Sequence, residues 1–188
     1  LNCVANGKLL REKVFDNIWI QPAAGDAGGA VGAALGAYHL MLGQARKPMT
    51  GQDRMRGAYL GPRYETVDIE QRLKAAGAVF STVSDADVIE LTAQALAEGK
   101  AVGWHQGRME FGPRALGGRS IIADPRSPAV QKQLNLKVKY RESFRPFAPS
   151  VLREDVSDWF DIQTDSPYML LVADVLKSLQ IPMTPEQE

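Results

Sequence analysis

The stretch from Ala27 to Ala45 carries no charge over 19 residues, and it limits the folds open to this chain more than any other segment. A run of that length must first be tested as a membrane span. Five of its residues are glycine, His39 and Gln44 interrupt it, and beyond Leu35 it holds only three Leu or Met residues. Transfer into lipid is therefore poor, while small residues in such numbers suit close helix packing inside a soluble domain. The segment is read as a helix of about 14 residues that ends at Gly43 as a C-cap. No membrane association is expected.

With 188 residues, 45% apolar and 23% charged, the chain has room for one average domain or two small ones. Its 17 Gly and 11 Pro are ordinary, which excludes disordered and fibrous classes. Twenty-two basic and 22 acidic residues cancel, so there is no global pull toward nucleic acid or a lipid surface. Locally the balance is uneven: residues 100–153 carry 11 basic and 3 acidic side chains, and residues 154–188 carry 1 basic and 8 acidic. Cys3, the only cysteine, can form no internal disulfide and reads as a small buried hydrophobe in a reducing cytoplasm. The opening Leu1–Gly7 has no initiator Met and no charged leader before an apolar run. The chain thus reads as an internal piece of a longer, cytoplasmic protein.

Helical and extended patterns alternate, which makes the expected class α/β (α+β). Val14, Ile18 and Ile20 suggest a short strand after Asp16-Asn17, and strands are also expected at Val79–Val83, Ala101–His105, Ser120–Ala123 and Met169–Val175, with Lys137–Arg145 extended. Helices are expected near 67–75, after the Ser84–Asp87 capping pattern up to Gly99, and over 128–136. The turn-rich residues 44–65 read as a connecting segment.

Three segments could carry chemistry. In Gly25-Asp26-Ala27-Gly28-Gly29-Ala30, glycines at a helix start leave backbone N–H groups open to an anion. Asp26 could cap that helix or hold a metal, and the glycines fit tight packing equally well. Gly107–Ser120 places Arg108, Arg114 and Arg119 among Gly and Pro, with Glu110 close to Arg108. Guanidinium forks match phosphate oxygens, but neither a Walker A loop nor a GxGxxG fingerprint is present. The third segment would set Lys137, Lys139 and Arg141 on one strand face, followed by Phe144, Arg145 and Phe147. Together the two basic clusters suit a small polyanion better than a solvated face. His39 and His105 lack partner clusters and read as structural.

The run Gly-Arg-Met-Glu-Phe-Gly-Pro-Arg-Ala-Leu-Gly-x-Arg-Ser-Ile-x-Ala-Asp-Pro-Arg (107–126), with Arg-Glu-x-Phe-Arg-Pro-Phe-Ala-Pro-Ser (141–150), closely resembles the O-carbamoyltransferases of nodulation-factor and antibiotic biosynthesis. Leu-Asn-Cys-Val-Ala-Asn-Gly-Lys-Leu (1–9) and Gln-Pro-Ala-Ala-Gly-Asp-Ala-Gly-Gly-Ala (21–30) resemble the same family, so the likeness covers nearly the whole chain.

The resemblance implies the end of an actin-like ATPase (Kae1-like) domain followed by a YrdC-like α/β domain. Residues 1–46 would close the first, 47–76 would link, and 77–188 would be the truncated second. It implies an ATP-dependent enzyme that makes carbamoyl adenylate from carbamoyl phosphate and ATP, then passes the carbamoyl group to a hydroxyl of a sugar, oligosaccharide or antibiotic. Asp26 would be one ligand of a divalent metal (Fe or Mg), its histidine partners lying upstream. Arg108, Lys139 and Arg141 would be catalytic. Arg108, Arg114, Lys137, Lys139, Arg141 and Arg145 would bind substrate, and Gly25, Gly28, Gly29 and Arg119 the nucleotide. Arg114 and Arg119 could instead brace their loop. By itself this piece is expected to be inactive. The competing reading is a YrdC-like RNA- or nucleotide-binding module without catalysis, although no aromatic-rich RNA motif supports nucleic acid as a partner.

Overall fold

A computed structural model describes residues 2–47, 51 and 53–184. Pro48, Met49, Thr50 and Gln52 of the expected connecting segment, and the C-terminal Pro185–Glu188, lie outside the described residues. The architecture is mixed, with six α-helices and one small sheet among the described residues. The chain divides into two compact units, one made of Leu1–Met49 with Ser150–Glu188 and the other of Thr50–Pro149.

In the first unit, α1 (Cys3–Arg11) starts where Asn2 Oδ1 accepts from the N–H groups of Val4 and Ala5, each at 3.1 Å. That cap satisfies two donors that the first helical turn would otherwise leave open. Gly7 lies against the 169–175 segment, where a Cβ would stand 2.5 Å from the Val172 carbonyl oxygen. Asn6 Nδ2 donates to the Leu170 carbonyl at 3.0 Å nearby. The apolar run 169–175 is therefore held by a helix face and, among the described residues, makes a single β-bridge, Phe160 to Val175, instead of the expected strand. The short strand expected after Asp16-Asn17 does not form either, since residues 17–21 meet no ladder partner among the described residues.

The uncharged stretch folds as α2 (Asp26–Gly36), continues as one wide π-turn over Ala37–Met41, and stops at Gly43 with φ +62°. Among the described residues no helix is long and apolar enough to cross a membrane. Gly28 is required by packing, since a Cβ there would meet the Ala23 carbonyl oxygen at 2.4 Å.

The second unit holds α3 (Thr66–Ala75) and α4 (Asp85–Ala97), the latter capped by Ser84 Oγ accepting from Asp87 N–H at 3.2 Å. Val79–Val83 between them forms no strand among the described residues, and Val79 is fully exposed. Strands β1 (Val102–His105) and β2 (Arg119–Ile122) form the antiparallel sheet, with Val102 opposite Ile122 and His105 opposite Arg119. Then come α5 (Val130–Gln133), a wide turn over Leu134–Val138 and, back in the first unit, α6 (Val156–Trp159).

Little of this is covered by a hydrophobic core. Among the described residues the buried hydrophobic ones, apart from Pro22, are Ala58 and Leu134, whereas Trp19, Leu40 and Tyr140 are 78%, 83% and 86% exposed. Apolar surface on that scale exceeds what a self-contained monomer normally leaves in water.

Candidate functional site

The 106–118 segment is the loop of the β1–β2 hairpin, closed by Gln106 N–H donating to the Gly118 carbonyl at 2.7 Å. Its near side is fastened to residues 58–62, which composition alone assigns to a connecting segment. Gly61 N–H donates to the Met109 carbonyl at 2.9 Å, Met109 N–H to the Pro62 carbonyl at 3.0 Å, and Phe111 N–H to the Ala58 carbonyl at 2.7 Å. Gly118 faces Tyr59 so closely that a Cβ would lie 2.4 Å from the ring. The loop is thus anchored by backbone pairing on one side and by an aromatic face on the other.

Glu110 sits inside the loop with its side chain wholly buried. Its Oε1 accepts from Leu116 N–H at 2.9 Å and Gly118 N–H at 3.0 Å. Its Oε2 has no hydrogen-bond partner and stands 3.4 Å from Arg119 Nε. Arg119 also donates from Nη2 to the Gly112 carbonyl. The geometry makes Arg119 a brace of the loop and pairs Glu110 with it, not with Arg108. Arg108 is exposed and donates from Nη1 to the Gly61 carbonyl at 2.8 Å, which leaves Nε and Nη2 for other partners. Arg114 is exposed, with no hydrogen bond or ion pair among the described residues.

The second basic segment does not form the expected strand, and Lys137, Lys139 and Arg141 do not share a strand face. Lys137 lies in the wide helical turn, Lys139 N–H donates to the Leu134 carbonyl at 2.9 Å, and Tyr140 has φ +49°. The cause is Asn135, which is 0% exposed. Its Nδ2 donates to the carbonyls of Ser143 (3.0 Å) and Arg145 (2.8 Å), while its Oδ1 accepts from Arg141 Nε at 2.6 Å. These bonds curl residues 141–145 back over the helical turn, so no extended run can develop. The Arg141 guanidinium carbon lies 4.9 Å from the centre of the Phe147 ring, within cation–π range. Arg145 pairs with Glu142 at 2.9 Å. A hydrogen bond from its own backbone N–H, helped by the Arg145 charge, holds the Glu142 carboxyl below the usual carboxylate range. Lys137 and Lys139 are exposed, and Phe144 is 76% exposed.

Both basic segments belong to the Thr50–Pro149 unit. Asp26 and the glycines at 25, 28 and 29 belong to the other. Asp26 is the first residue of α2, exposed and without an ion-pair partner among the described residues. Gly28 and Gly29 donate their N–H groups to the Gly25 carbonyl at 3.0 and 3.3 Å, and Gly29 has open space where a Cβ would stand. Among the described residues no group of three His, Cys, Asp or Glu that could hold a metal ion occurs, so Asp26 has no companion ligand there. His39 Nδ1 lies 2.6 Å from the Gln44 carbonyl and His105 Nε2 lies 3.2 Å from Met109 Sδ, both local structural contacts. A cavity of about 690 Å³ opens between residues 10–20 and 161–171, and none of the residues expected at a site lines it.

Sequence reasoning passed over Asn135. Its signal was weak, an amide between Leu134 and Leu136 just ahead of a basic run. Glu110 had a clearer one, as the lone acid among three arginines.

A hairpin loop and a helical turn, each built on a buried polar side chain and each presenting arginine, make up the candidate site of this α+β protein. Comparison with known proteins identifies it further. The carbamoyltransferase N-terminus family model matches residues 1–35, and the carbamoyltransferase C-terminus model matches residues 93–184. The chain belongs to the carbamoyltransferase family. It is 61% identical to the uncharacterized protein sll1178 of Synechocystis sp., over 100% of this chain and 31% of that protein. It is 43% identical to nodulation protein NolNO of Sinorhizobium fredii, over 94% of this chain and 26% of that protein. Identity to nodulation protein NolO of Bradyrhizobium diazoefficiens is 42%, over 93% of this chain and 32% of that protein. The chain therefore spans about a third or less of the length of these curated relatives.

Proposed function

We propose that this chain contributes the anion-binding part of an ATP-dependent O-carbamoyltransferase. Such an enzyme makes carbamoyl adenylate from carbamoyl phosphate and ATP, and a small-molecule hydroxyl of a sugar, oligosaccharide or antibiotic receives the carbamoyl group. The observation that carries the reading is the ordering of arginine side chains on two fastened segments of one unit, within a family whose name is carbamoyl transfer. Carbamoyl phosphate and the triphosphate of ATP are both polyanions, and fixed guanidinium groups stabilise the charge that develops on their oxygens during adenylation. Arg108, Arg114, Lys137, Lys139, Arg141 and Arg145 are the cations assigned to that task, with Arg119 holding the loop. The remaining family domains, a Kae1-like one up to residue 46 and a YrdC-like one from residue 77, belong to the same proposal. The widely exposed apolar faces fit burial against further parts of a longer protein. Asp26 is assigned as one carboxylate toward a divalent metal whose other ligands lie elsewhere.

The test uses the full-length protein with ATP and carbamoyl phosphate, reading pyrophosphate release. Arg108→Ala and Lys139→Ala are each expected to slow that release at least ~100-fold, the scale of losing one charged transition-state contact. Carbamoyl transfer from preformed carbamoyl adenylate should stay nearly intact in both variants. Equal loss in the two half-reactions contradicts this division, and no carbamoyl-phosphate-dependent release by the wild-type protein overturns the assignment.

A further inference from the structure

The arginines of this site differ in how their guanidinium groups are held. Arg119 is engaged at both Nε and Nη2 inside its loop. Arg145 is tied at Nε to the Glu142 carboxylate. Arg141 alone is gripped by a neutral partner at its Nε edge and by a ring on its face. Its two terminal Nη groups make no hydrogen bond or ion pair among the described residues. The nearest carboxylate in sequence, Glu142, is directed to Arg145 and reaches Arg141 only through its field.

We propose that Asn135 is a positioning residue whose side-chain amide holds Arg141 by its Nε edge, leaving the two Nη groups as a fork for a phosphate-bearing anion. Every polar group of the Asn135 side chain serves this arrangement. Both Nδ2 hydrogens go to the carbonyls that end the 141–145 turn, and Oδ1 takes the Arg141 Nε–H. The Asn135 backbone carbonyl accepts the Arg141 backbone N–H at 3.0 Å as well, so one buried residue sets both the main chain and the side chain of Arg141. A carboxylate at this position would grip Arg141 equally well but would cancel its charge. The amide holds it and leaves the charge for a ligand. Two parallel N–H donors match two oxygens of one phosphate, and a guanidinium already immobilised loses less freedom on binding. The inference deepens the carbamoyl-transfer reading, since it names which arginine of that site is prepared in advance.

The test is a double-mutant cycle on the full-length protein, with inorganic pyrophosphate as the calorimetric probe at fixed ionic strength. Arg141→Ala is expected to weaken pyrophosphate binding about 10- to 100-fold, the range for a lost charge-assisted contact. Asn135→Ala should weaken it by at least about 5-fold, and the double variant should bind no more weakly than Arg141→Ala, because Asn135 acts through that side chain. General loosening of the fold would multiply the two losses, and that outcome overturns the proposal. So does an Arg141→Ala variant that binds pyrophosphate as the wild type does. If Asn135→Ala does not fold, Phe147→Leu replaces it in the cycle with Arg141→Ala, and coupling or additivity is read in the same way. A coupled cycle in a protein without carbamoyl-phosphate-dependent activity would uphold the fork while removing the carbamoyl reading.

Discussion

Replacing Glu110 by alanine should release the 107–119 loop, and the structure sets the scale of the loss. The side chain is fully buried, and one oxygen serves the N–H groups of Leu116 and Gly118. Removing it strands two backbone donors, each worth about 1–3 kcal/mol when no water replaces the partner. Gly118 is buried and counts near the upper figure, while the bond to Leu116 is only part-buried and counts near the lower. Arg119 also loses its counter-charge, but its side chain is 29% exposed and solvent offsets part of that loss. The expected cost is about 3–5 kcal/mol. Glu110→Gln keeps the size and an acceptor oxygen but turns an amide N–H₂ toward Arg119, so about 1–2 kcal/mol is expected. Amide hydrogen exchange on the full-length protein reads this locally, since opening free energies convert at about tenfold in rate per 1.4 kcal/mol. The amides of Leu116 and Gly118 should exchange at least ~100-fold faster in Glu110→Ala and about 10-fold faster in Glu110→Gln. Unchanged exchange at both amides in Glu110→Ala would refute the role of the carboxylate as the loop's internal anchor.

Three further outcomes are expected. Gly28→Ala forces a Cβ to within 2.4 Å of the Ala23 carbonyl, so the start of α2 must shift at a cost of about 1–3 kcal/mol, seen as lowered protection of α2 amides, whereas Gly29→Ala, with open space at that position, should leave them unchanged. Glu142→Gln removes the acid beside Arg145 and Arg141 and should tighten pyrophosphate binding about 2- to 3-fold at low salt, the gain fading as salt rises; weaker binding would show that the acid orders the arginines instead. Asp124 accepts three hydrogen bonds from the Arg126 side chain, two from Nε and one from Nη2, and one from its backbone, which depress its pKa to about 2. A depressed folded-state pKa means that the stabilisation is complete above the unfolded value of about 4 and disappears as pH falls through about 2. The Tm gap between wild type and Asp124→Asn should hold constant from pH 5 to 8 and close below pH 4, and a gap that changes between pH 5 and 8 would contradict the pairing.

What could be read from sequence was whatever depends on near neighbours. The Ser84 cap and the helix behind it and the Gly43 stop rest on contacts a few residues apart, and the two strands at 102–105 and 119–122 rest on a single hairpin. The missed strands share one cause. Alternating or continuous apolar patterns at 14–20, 79–83 and 169–175 say which residues avoid water, but a strand also needs an edge to pair with. Local sequence carries no record of whether that edge is present. In 169–175 the edge is replaced by Asn6 and the bare backbone at Gly7, more than 160 residues away in sequence. The extended reading of 137–145 failed for a different reason, since it weighed charge periodicity and gave no weight to Asn135, whose amide could satisfy the turn's carbonyls and so compete with a ladder.

A glycine-rich loop among arginines reads as a cradle whose backbone N–H groups take a phosphate. Here the cradle already holds an anion, and it is the protein's own. Glu110 occupies the donors of Leu116 and Gly118, and Gly117 N–H donates to Ser120 Oγ at 3.0 Å, so the turn back into β2 is satisfied from within. Arg119 supplies the matching cation, which leaves the Glu110–Arg119 pair near neutral and Arg108 and Arg114 as the loop's outward charges. On the proposed reading, a phosphate meeting this turn finds the N–H groups of Leu116, Gly117 and Gly118 already taken and the long side chains of Arg108 and Arg114 open to it. Long side chains contribute less geometric selectivity and stronger salt dependence, unless a neighbour immobilises them. Arg108 has such a neighbour in the Gly61 carbonyl and Arg141 has two in Asn135 and Phe147, whereas Arg114 has none among the described residues. On the proposed carbamoyl-transfer reading, discrimination between one phosphate-bearing substrate and another should therefore rest on Arg108 and Arg141, with Arg114 adding charge and little else.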